Sequence, residues 1–276
     1  MSTVDVRQLP DLSSDYPLSP AQIAQYRETG HILLRGVCTP EEARVYREVI
    51  LDATMRNNRE TRPLEERDTY GKAFLQVMNL WSGDEGVKKF TLARRFGHIA
   101  AQLMEVDRVR LYHDQALFKE PGGGHTPWHQ DQFYWPLDTP STVTMWMPLV
   151  DIDATMGSMS FADASNANGF IPTPNEISDE SEQFFGDYVA EKGFKVSGGG
   201  AMAAGDATFH SGWCLHRAPG NTTQRVREVM TVIYYPDGTR IAEPKNEFQK
   251  ADHQVWLNSI AAGQVADGPL NPVVYL

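Results

Sequence analysis

The sequence has little of what a disulfide-stabilised or membrane-embedded protein needs. It contains only two cysteines among 276 residues, Cys38 and Cys214, and we expect both to be free buried thiols. The longest apolar runs fall well short of the ~20 residues of a transmembrane helix. Residues 1–20 carry no apolar segment flanked by basic residues, so no secretion signal is expected. These absences predict a cytoplasmic protein without a membrane partner.

Basic residues are scarce relative to acidic ones. The chain has 25 Lys and Arg against 36 Asp and Glu, which gives a formal net charge of −11. Because such a charge repels polyanions at long range, we expect no nucleic-acid partner. The sequence also shows no internal repeat, low-complexity tract or linker. We therefore expect a single domain over residues 1–276, a monomer or homodimer, that acts on a small molecule.

The N-terminal part of the sequence is predicted to be mainly helical, and the remainder is predicted to be rich in β-strands. Pro20 begins a predicted helix that ends before Gly30, a short strand follows over 31–34, and Thr39 caps a second helix to about Arg56. Further on, short β-type runs at close spacing predict antiparallel strands in a barrel or sandwich. A third helix is predicted over 92–106, and the β-type runs are 109–113, 116–119, 143–149, 158–161, 207–210 and 229–235.

Two long segments show no clear period. Residues 57–71 are dense in Arg and Glu, and we expect an exposed loop near the site. Residues 163–195 contain Pro172 and Pro174, and we expect an irregular insertion over the mouth of the barrel. The acidic run at 179–182 within this insertion is interpreted as a solvated loop.

The stretch His129-Gln130-Asp131 carries the chemistry. An imidazole and a carboxylate two residues apart on an extended segment point to the same side and can bind one metal ion. A His-x-Asp pair is common by chance, but His216 follows after a hydrophobic run and Arg227 comes eleven residues later. Two imidazoles and one carboxylate on one octahedral face, with open positions opposite, are typical of O₂-using Fe(II) enzymes.

Spacing alone leaves the distal ligand open between His210 and His216, since either can end a strand. Arg227 shares the face of the apolar residues that follow it at period two, so its side chain is expected to point into the barrel. A buried guanidinium needs an anionic partner, which is either a co-substrate carboxylate or a protein acid. We expect no metal role for the histidines at 31, 98, 113, 125 and 253, a solvated Lys119, and surface positions for the arginines at 225 and 240.

Several short sequence motifs occur in the order and spacing found in one known family. They include 118–122 (Phe-Lys-Glu-Pro-Gly), 126–131 (Thr-Pro-Trp-His-Gln-Asp), Gly205-Asp206 and 216–221 (His-Arg-Ala-Pro-Gly-Asn). With the helix-strand-helix opening from Leu18, the chain resembles the phytanoyl-CoA dioxygenase family of 2-oxoglutarate-dependent oxygenases over nearly its whole length.

The resemblance implies a mainly β fold with flanking α-helices: a double-stranded β-helix, or cupin-like jelly roll, behind N-terminal helices. It also implies Fe(II) as cofactor and 2-oxoglutarate and O₂ as co-substrates. His216 is favoured as the distal ligand and Arg227 as the partner of 2-oxoglutarate, with Gln115, Trp146 and Gln130 helping to hold it. The chain departs from the family pattern at Ala218, often serine, and at Met156-Gly157, usually Asn-Gly.

The expected activity is oxidation of an unactivated C–H bond of a small organic metabolite, by hydroxylation, desaturation, epimerisation or cyclisation, with release of succinate and CO₂. Asp131 occupies the position that a halide would need, which disfavours halogenation. The alternatives are a cupin-like zinc or manganese hydrolase or isomerase that works without O₂, and a non-catalytic ligand-binding barrel. Aromatic residues at 133–135 suggest an aromatic-lined pocket, but the sequence names no substrate.

Overall fold

The structure is a computed structural model that describes residues 5–172 and 177–275. Its N-terminal part forms the helical layer expected from the sequence. Ser19 and Thr39 close capping boxes on the first two helices, and Gly30 ends the first with φ of 80°. The elements of this part are α1 (Pro20–Thr29), β1 (His31–Leu34), α2 (Pro40–Asn57), α3 (Thr69–Ala73), β2 (Leu75–Met78), α4 (Glu85–Thr91) and α5 (Arg94–Met104).

The remainder is dominated by two antiparallel sheets, which confirms the expected jelly roll with N-terminal helices. The strands and helices of this part are β3 (Val109–Phe118), β4 (Thr126–His129), β5 (Val143–Pro148), β6 (Ser160–Ala162), α6 (Asp179–Lys192), β7 (Val196–Gly198), β8 (Ala207–Ser211), β9 (His216–Ala218), β10 (Val229–Pro236), α7 (Glu247–Val255) and β11 (Val273–Tyr275). The larger sheet has seven strands in the order β1-β8-β5-β10-β3-β11, with β2 also paired to β3, and the smaller has the order β4-β9-β6-β7.

The largest apolar cluster joins the helices to the outer face of the larger sheet. It contains Tyr46 of α2 and Phe96 of α5 together with Phe209 of β8, all essentially inaccessible to solvent. Polar and ionisable residues gather instead on the inner face, between the two sheets. No helix in the described ranges is long and apolar enough to cross a membrane. Cys38 and Cys214 are both buried and free, as expected.

Strand β3 is one ten-residue strand where the sequence predicted two. Asp114 interrupts the apolar pattern, yet its carboxylate is buried and accepts hydrogen bonds from Leu80 N, Trp81 N and Thr91 Oγ1. A register shift against β10 places one extra residue in β3 between Leu111 and Asp114. Such a bulge lets the side chains of two consecutive residues point to the same face of the sheet.

The predictions for the two long segments were partly wrong. Within 57–71 the side chain of Arg67 is buried and pairs with Glu120 at 2.5 Å, so this segment is anchored instead of free. Residues 179–182 are the first turn of α6, which begins at the capping box of Ser178. The sequence reasoning overlooked the apolar face of this helix, where Phe185 and Val189 are buried. Pro174 lies outside the described residues.

The chain turns into β8 at Gly205, where the backbone requires glycine. Its φ is +90°, and a Cβ there would lie 2.5 Å from the carbonyl oxygen of Cys38. We expect Gly205→Ala to lower the free energy of unfolding by roughly 1–3 kcal/mol or more in urea denaturation. Gly83→Ala is the matched control, because Gly83 has φ of −116° and open space around it. Equal stability of the two variants would contradict this reading of the turn.

Candidate metal centre and co-substrate pocket

The register between β4 and β9 brings two histidines together. His129 ends β4 and His216 begins β9, and the two are paired across the ladder with ring centroids 4.1 Å apart. Asp131 follows at the start of a 3₁₀ turn, and its Oδ1 lies 3.5 Å from the Nε2 of each imidazole. One ligand atom from each of these three residues lies within 4.8 Å of the others. The arrangement matches a face of two imidazoles and one carboxylate.

Backbone carbonyls fix the orientation of both imidazoles. The Nδ1 atom of His129 lies 2.7 Å from the oxygen of Pro127, and that of His216 lies 2.9 Å from the oxygen of Cys214. With Nδ1 donating to a carbonyl, the Nε2 lone pair of each ring is directed to the shared space. Burial, followed by the charge of His129, lowers the pKa of His216 well below its usual value. A neutral imidazole is the form that binds a metal ion.

Two side chains hold the second carboxylate oxygen of Asp131, Oδ2, in place. Its Oδ2 accepts a hydrogen bond from Thr144 Oγ1 at 2.8 Å and lies 3.1 Å from His210 Nε2. Burial raises the pKa of the Asp131 carboxyl, but the neighbouring imidazoles, His216 first, outweigh this and hold it well below its usual range. His210 therefore contacts the carboxylate oxygen that His129 and His216 do not share, although its ring centroid lies 4.4 Å from that of His216. This geometry favours His216 over His210 as the third ligand.

A cavity of about 560 Å³ opens in front of the three residues. Arg227, Gln115 and Trp146 line it. The guanidinium of Arg227 is buried, donates from Nη1 to the Gly157 carbonyl at 2.6 Å, and lies 5.3 Å from the Trp146 ring centre. Its Nε has no partner, and no acid lies within ion-pair distance among the described residues. The alternative of a salt bridge to a protein acid is thus not seen in the described part of the chain.

A second buried cation adjoins Arg227. Lys119, expected to be solvated, is fully buried, and its Nζ donates to the Gly124 carbonyl and to Thr126 Oγ1 at 3.4 Å. Burial, and then the charge of Arg227, lowers the pKa of Lys119 to about 6, and burial lowers the pKa of Arg227 to about 9. The burial was not predicted, because a lysine at the end of a strand is usually solvated. Two buried basic groups without an acid call for an anionic ligand.

Gln130 does not take the co-substrate role that the resemblance implied. Its Nε2 donates to the carbonyls of Gly169 and Trp213, and its Oε1 accepts from Ile171 N. The amide is fully engaged and lies outside the residues that line the cavity. Because the segment is extended, Gln130 points to the side opposite its two neighbours, where it fixes loops behind the metal ligands.

Gln115 is held in a chain of hydrogen bonds across the cavity wall. Its Oε1 accepts from Gln76 Nε2 at 2.6 Å, and Gln76 Oε1 accepts from the hydroxyl of Tyr70 at 3.0 Å. This leaves the amide nitrogen of Gln115 to donate toward the cavity. Sequence reasoning placed Tyr70 in an exposed loop, and no local pattern marked it as part of the site.

Other lining residues were also missed, some from the two segments without a clear period and others from β3 and α7. His113 of β3 lines the cavity although no role was assigned to it, and burial lowers its pKa to about 3. Further lining residues are Asp68, Ile177, Ser178, Phe248 and Asp252.

The side chains present fit a bound Fe(II) and a dicarboxylate. Two imidazoles and a carboxylate supply three ligands on one side, and cysteine is absent from the set. The unpaired Nε of Arg227 supplies a buried donor for an anion in the same cavity. This combination of donors is what iron and an oxo-acid together require.

Comparison with known families supports the same class. The family model of phytanoyl-CoA dioxygenase matches residues 18–229. The chain therefore belongs to the phytanoyl-CoA dioxygenase family, whose members are non-haem iron, 2-oxoglutarate-dependent oxygenases. No curated protein sequence matches at a significant level.

Solved structures show the same fold at low sequence identity. The carbocyclase SnoK from nogalamycin biosynthesis is 23% identical with a TM-score of 0.75, covering 93% of this chain and 96% of its own. The epimerase SnoN, in complex with Fe³⁺, α-ketoglutarate and nogalamycin RO, is 21% identical with a TM-score of 0.74, covering 92% and 97%. EctD from S. alaskensis, with 2-oxoglutarate and 5-hydroxyectoine, is 14% identical with a TM-score of 0.68, covering 95% and 91%.

The two candidate distal histidines make a direct test of the site. We expect His216→Ala to lose Fe(II) binding, because a ligand is removed, and His210→Ala to retain it with reduced affinity, because only a support of Asp131 is lost. Anaerobic Fe(II) titration by equilibrium dialysis measures both. Loss of binding in His210→Ala with full binding in His216→Ala would show that the ligand assignment is wrong.

Proposed function

We propose that the protein binds Fe(II) through His129, Asp131 and His216 and uses 2-oxoglutarate and O₂ to oxidise an unactivated C–H bond of a small organic metabolite. The observation that carries the proposal is the presence, in one cavity, of a three-residue metal face and a buried Arg227 that has no counter-ion among the described residues. Each of these two features, taken alone, also occurs in sites with other functions. Together they match a metal-bound oxo-acid whose second carboxylate reaches a guanidinium.

Each side chain has a distinct task in this proposal. The three ligands hold iron from one side, and when bound the iron supplies the oxygen activation that C–H oxidation needs. Arg227 binds the distal carboxylate of 2-oxoglutarate, and Trp146 packs against the guanidinium. Lys119 adds a basic group beside it. Thr144 and His210 hold Asp131 in place.

A zinc or manganese hydrolase is the second candidate for the same ligand set. Such an enzyme has no need of a buried guanidinium or of the adjoining Lys119. Family membership also favours the iron and 2-oxoglutarate assignment. A nucleic-acid substrate is disfavoured by the net charge of −11.

The proposal covers several possible outcomes of the oxidation. SnoK is a carbocyclase and SnoN an epimerase, so closely similar folds serve different outcomes. Asp131 as a ligand leaves no position for a halide, which favours hydroxylation, desaturation, epimerisation or cyclisation over halogenation. The cytoplasmic location, the single domain over 1–276 and the monomeric or homodimeric state stay predictions from the sequence.

Arg227 offers the sharpest test of the co-substrate assignment. We expect Arg227→Ala to retain Fe(II) but to weaken 2-oxoglutarate binding by ~2–4 kcal/mol, as for loss of one partner of a buried charged pair. The readout is the weak visible absorption band of the anaerobic Fe(II)–2-oxoglutarate complex, titrated with 2-oxoglutarate. Arg225→Ala is the control, because Arg225 is an exposed arginine two residues away. Binding within threefold of wild type in Arg227→Ala would remove the main support for the assignment.

Turnover provides a test of the reaction class. We expect succinate to form from 2-oxoglutarate only in the presence of both Fe(II) and O₂, and faster with a substrate drawn from a small-molecule library. With that substrate in high chloride, mass spectrometry should show oxygenated, dehydrogenated or rearranged product and no chlorinated product. Oxygen-independent turnover would favour the hydrolase, and a chlorinated product would contradict ligation by Asp131.

A further inference from the structure

A second, half-buried acid faces the cavity, far from the metal ligands in sequence. Asp252 lies on α7, which begins after residue 229, the last residue of the family match. Its side chain lines the same cavity as His129, Asp131 and His216. The charges of both Asp131 and Asp252 act on the hydroxyl of Tyr70 and add to the effect of burial in raising its pKa. Asp252 therefore faces the space in front of the metal face.

The bulge in β3 holds this carboxylate in position. Tyr112 and His113 both turn to the inner side there, and the Tyr112 hydroxyl donates to Asp252 Oδ2 at 2.8 Å. Asn246 and Gln249 fix α7 against the turn that contains Asp131, because their amides donate to Phe133 O at 3.5 and 3.0 Å. The acid is thus held on a rigid element and not on a free loop.

Asp252 has no cationic partner in the described ranges. None of its contacts is an ion pair, and the nearby His113 is neutral because burial lowers its pKa to about 3. Burial also raises the pKa of Asp252 to about 7, although hydrogen bonds from Tyr112 and Trp256 act in the opposite direction. A carboxylate in this setting is stabilised by a ligand that brings a positive charge.

The surroundings suit an organic cation. Tyr134, Trp135 and Phe248 line the cavity together with Asp252, and the Tyr134 and Phe248 rings are 5.4 Å apart. Aromatic faces beside a carboxylate are a favourable environment for an ammonium group. The net charge of −11 attracts cations to the protein at long range. Arg227 is reserved for the anionic co-substrate, so the cavity has one basic and one acidic wall.

We propose that Asp252 is a substrate-binding residue that forms an ion pair with a protonated amine of a largely apolar, ring-containing substrate, and so positions its reacting carbon toward the metal face. This inference rests on the proposed function, since it concerns the same cavity. It assigns the substrate class to a residue of α7, which lies after the family match.

Paired probes test the charge requirement. Phenethylamine and tryptamine are compared with the alcohols of the same skeleton, phenethyl alcohol and tryptophol, by isothermal titration of the anaerobic protein loaded with Fe(II) and 2-oxoglutarate. We expect both amines to bind wild type at least about tenfold more tightly than their alcohols, as a desolvated charged hydrogen bond provides. Equal binding of amine and alcohol, or no binding of the amines, would overturn the proposal.

Variants on one helix separate the effect of Asp252 from that of net charge. Asp252→Asn should lose the preference for the amine, whereas Glu247→Gln should keep it. Glu247→Gln is the matched control because it removes the same negative charge from α7. Glu247 is exposed, and its ion pair among the described residues is with Lys250. Asp252→Ser is a second variant to use if Asp252→Asn has a melting temperature too low for the titration. A preference that survives in the Asp252 variants would also overturn the proposal.

The same samples distinguish this inference from the proposed function. If wild type shows the Fe(II)–2-oxoglutarate band but no preference for amines, only the substrate class fails. If wild type shows no band, the proposed function itself fails.

Discussion

The antiparallel pairing of β4 with β9 is the contact on which the site depends. It sets His129 opposite His216, and the turn after β4 then brings Asp131 to the same point. A shift of one residue in this register would send one imidazole to the other face of the sheet, because side chains alternate along a strand. The remaining polar contacts of the site, from the carbonyls behind each ring to Thr144 and His210 behind Asp131, refine a position that the pairing has already fixed.

In the proposed function, the cavity selects its ligands through ionisable groups that form no ion pair within the described ranges. Arg227 and Lys119 adjoin one another at one wall, and Asp252 lies at another. Burial of an unpaired charge is costly, so such residues are stable only where a ligand completes them or the cost is tolerated for function. Under this proposal, the separation of a basic wall from an acidic wall would let one cavity orient two different small molecules toward the metal face.

The family match covers the metal face but not all of the cavity. Residues 18–229 match the family and contain the metal face, Arg227, Gln115 and Trp146. The helix α7 comes later and lines the inner wall with Phe248 and Asp252. The cavity therefore combines residues inside the family match with residues that follow it.

The helical opening, most strands, the His-x-Asp pair and the inward direction of Arg227 could be predicted from the sequence, because these depend on local periodicity, capping and spacing. Spacing could not choose between His210 and His216, since either could end a predicted strand, whereas the pairing of β4 with β9 sets His216 opposite His129. The burial of Lys119, the inward turn of Tyr70 and the place of Asp252 depend on the tertiary structure. Tyr70 lies in a segment without a clear period, Lys119 follows β3 and Asp252 lies on α7. The environment of each comes from residues far away in the chain, which no local pattern records.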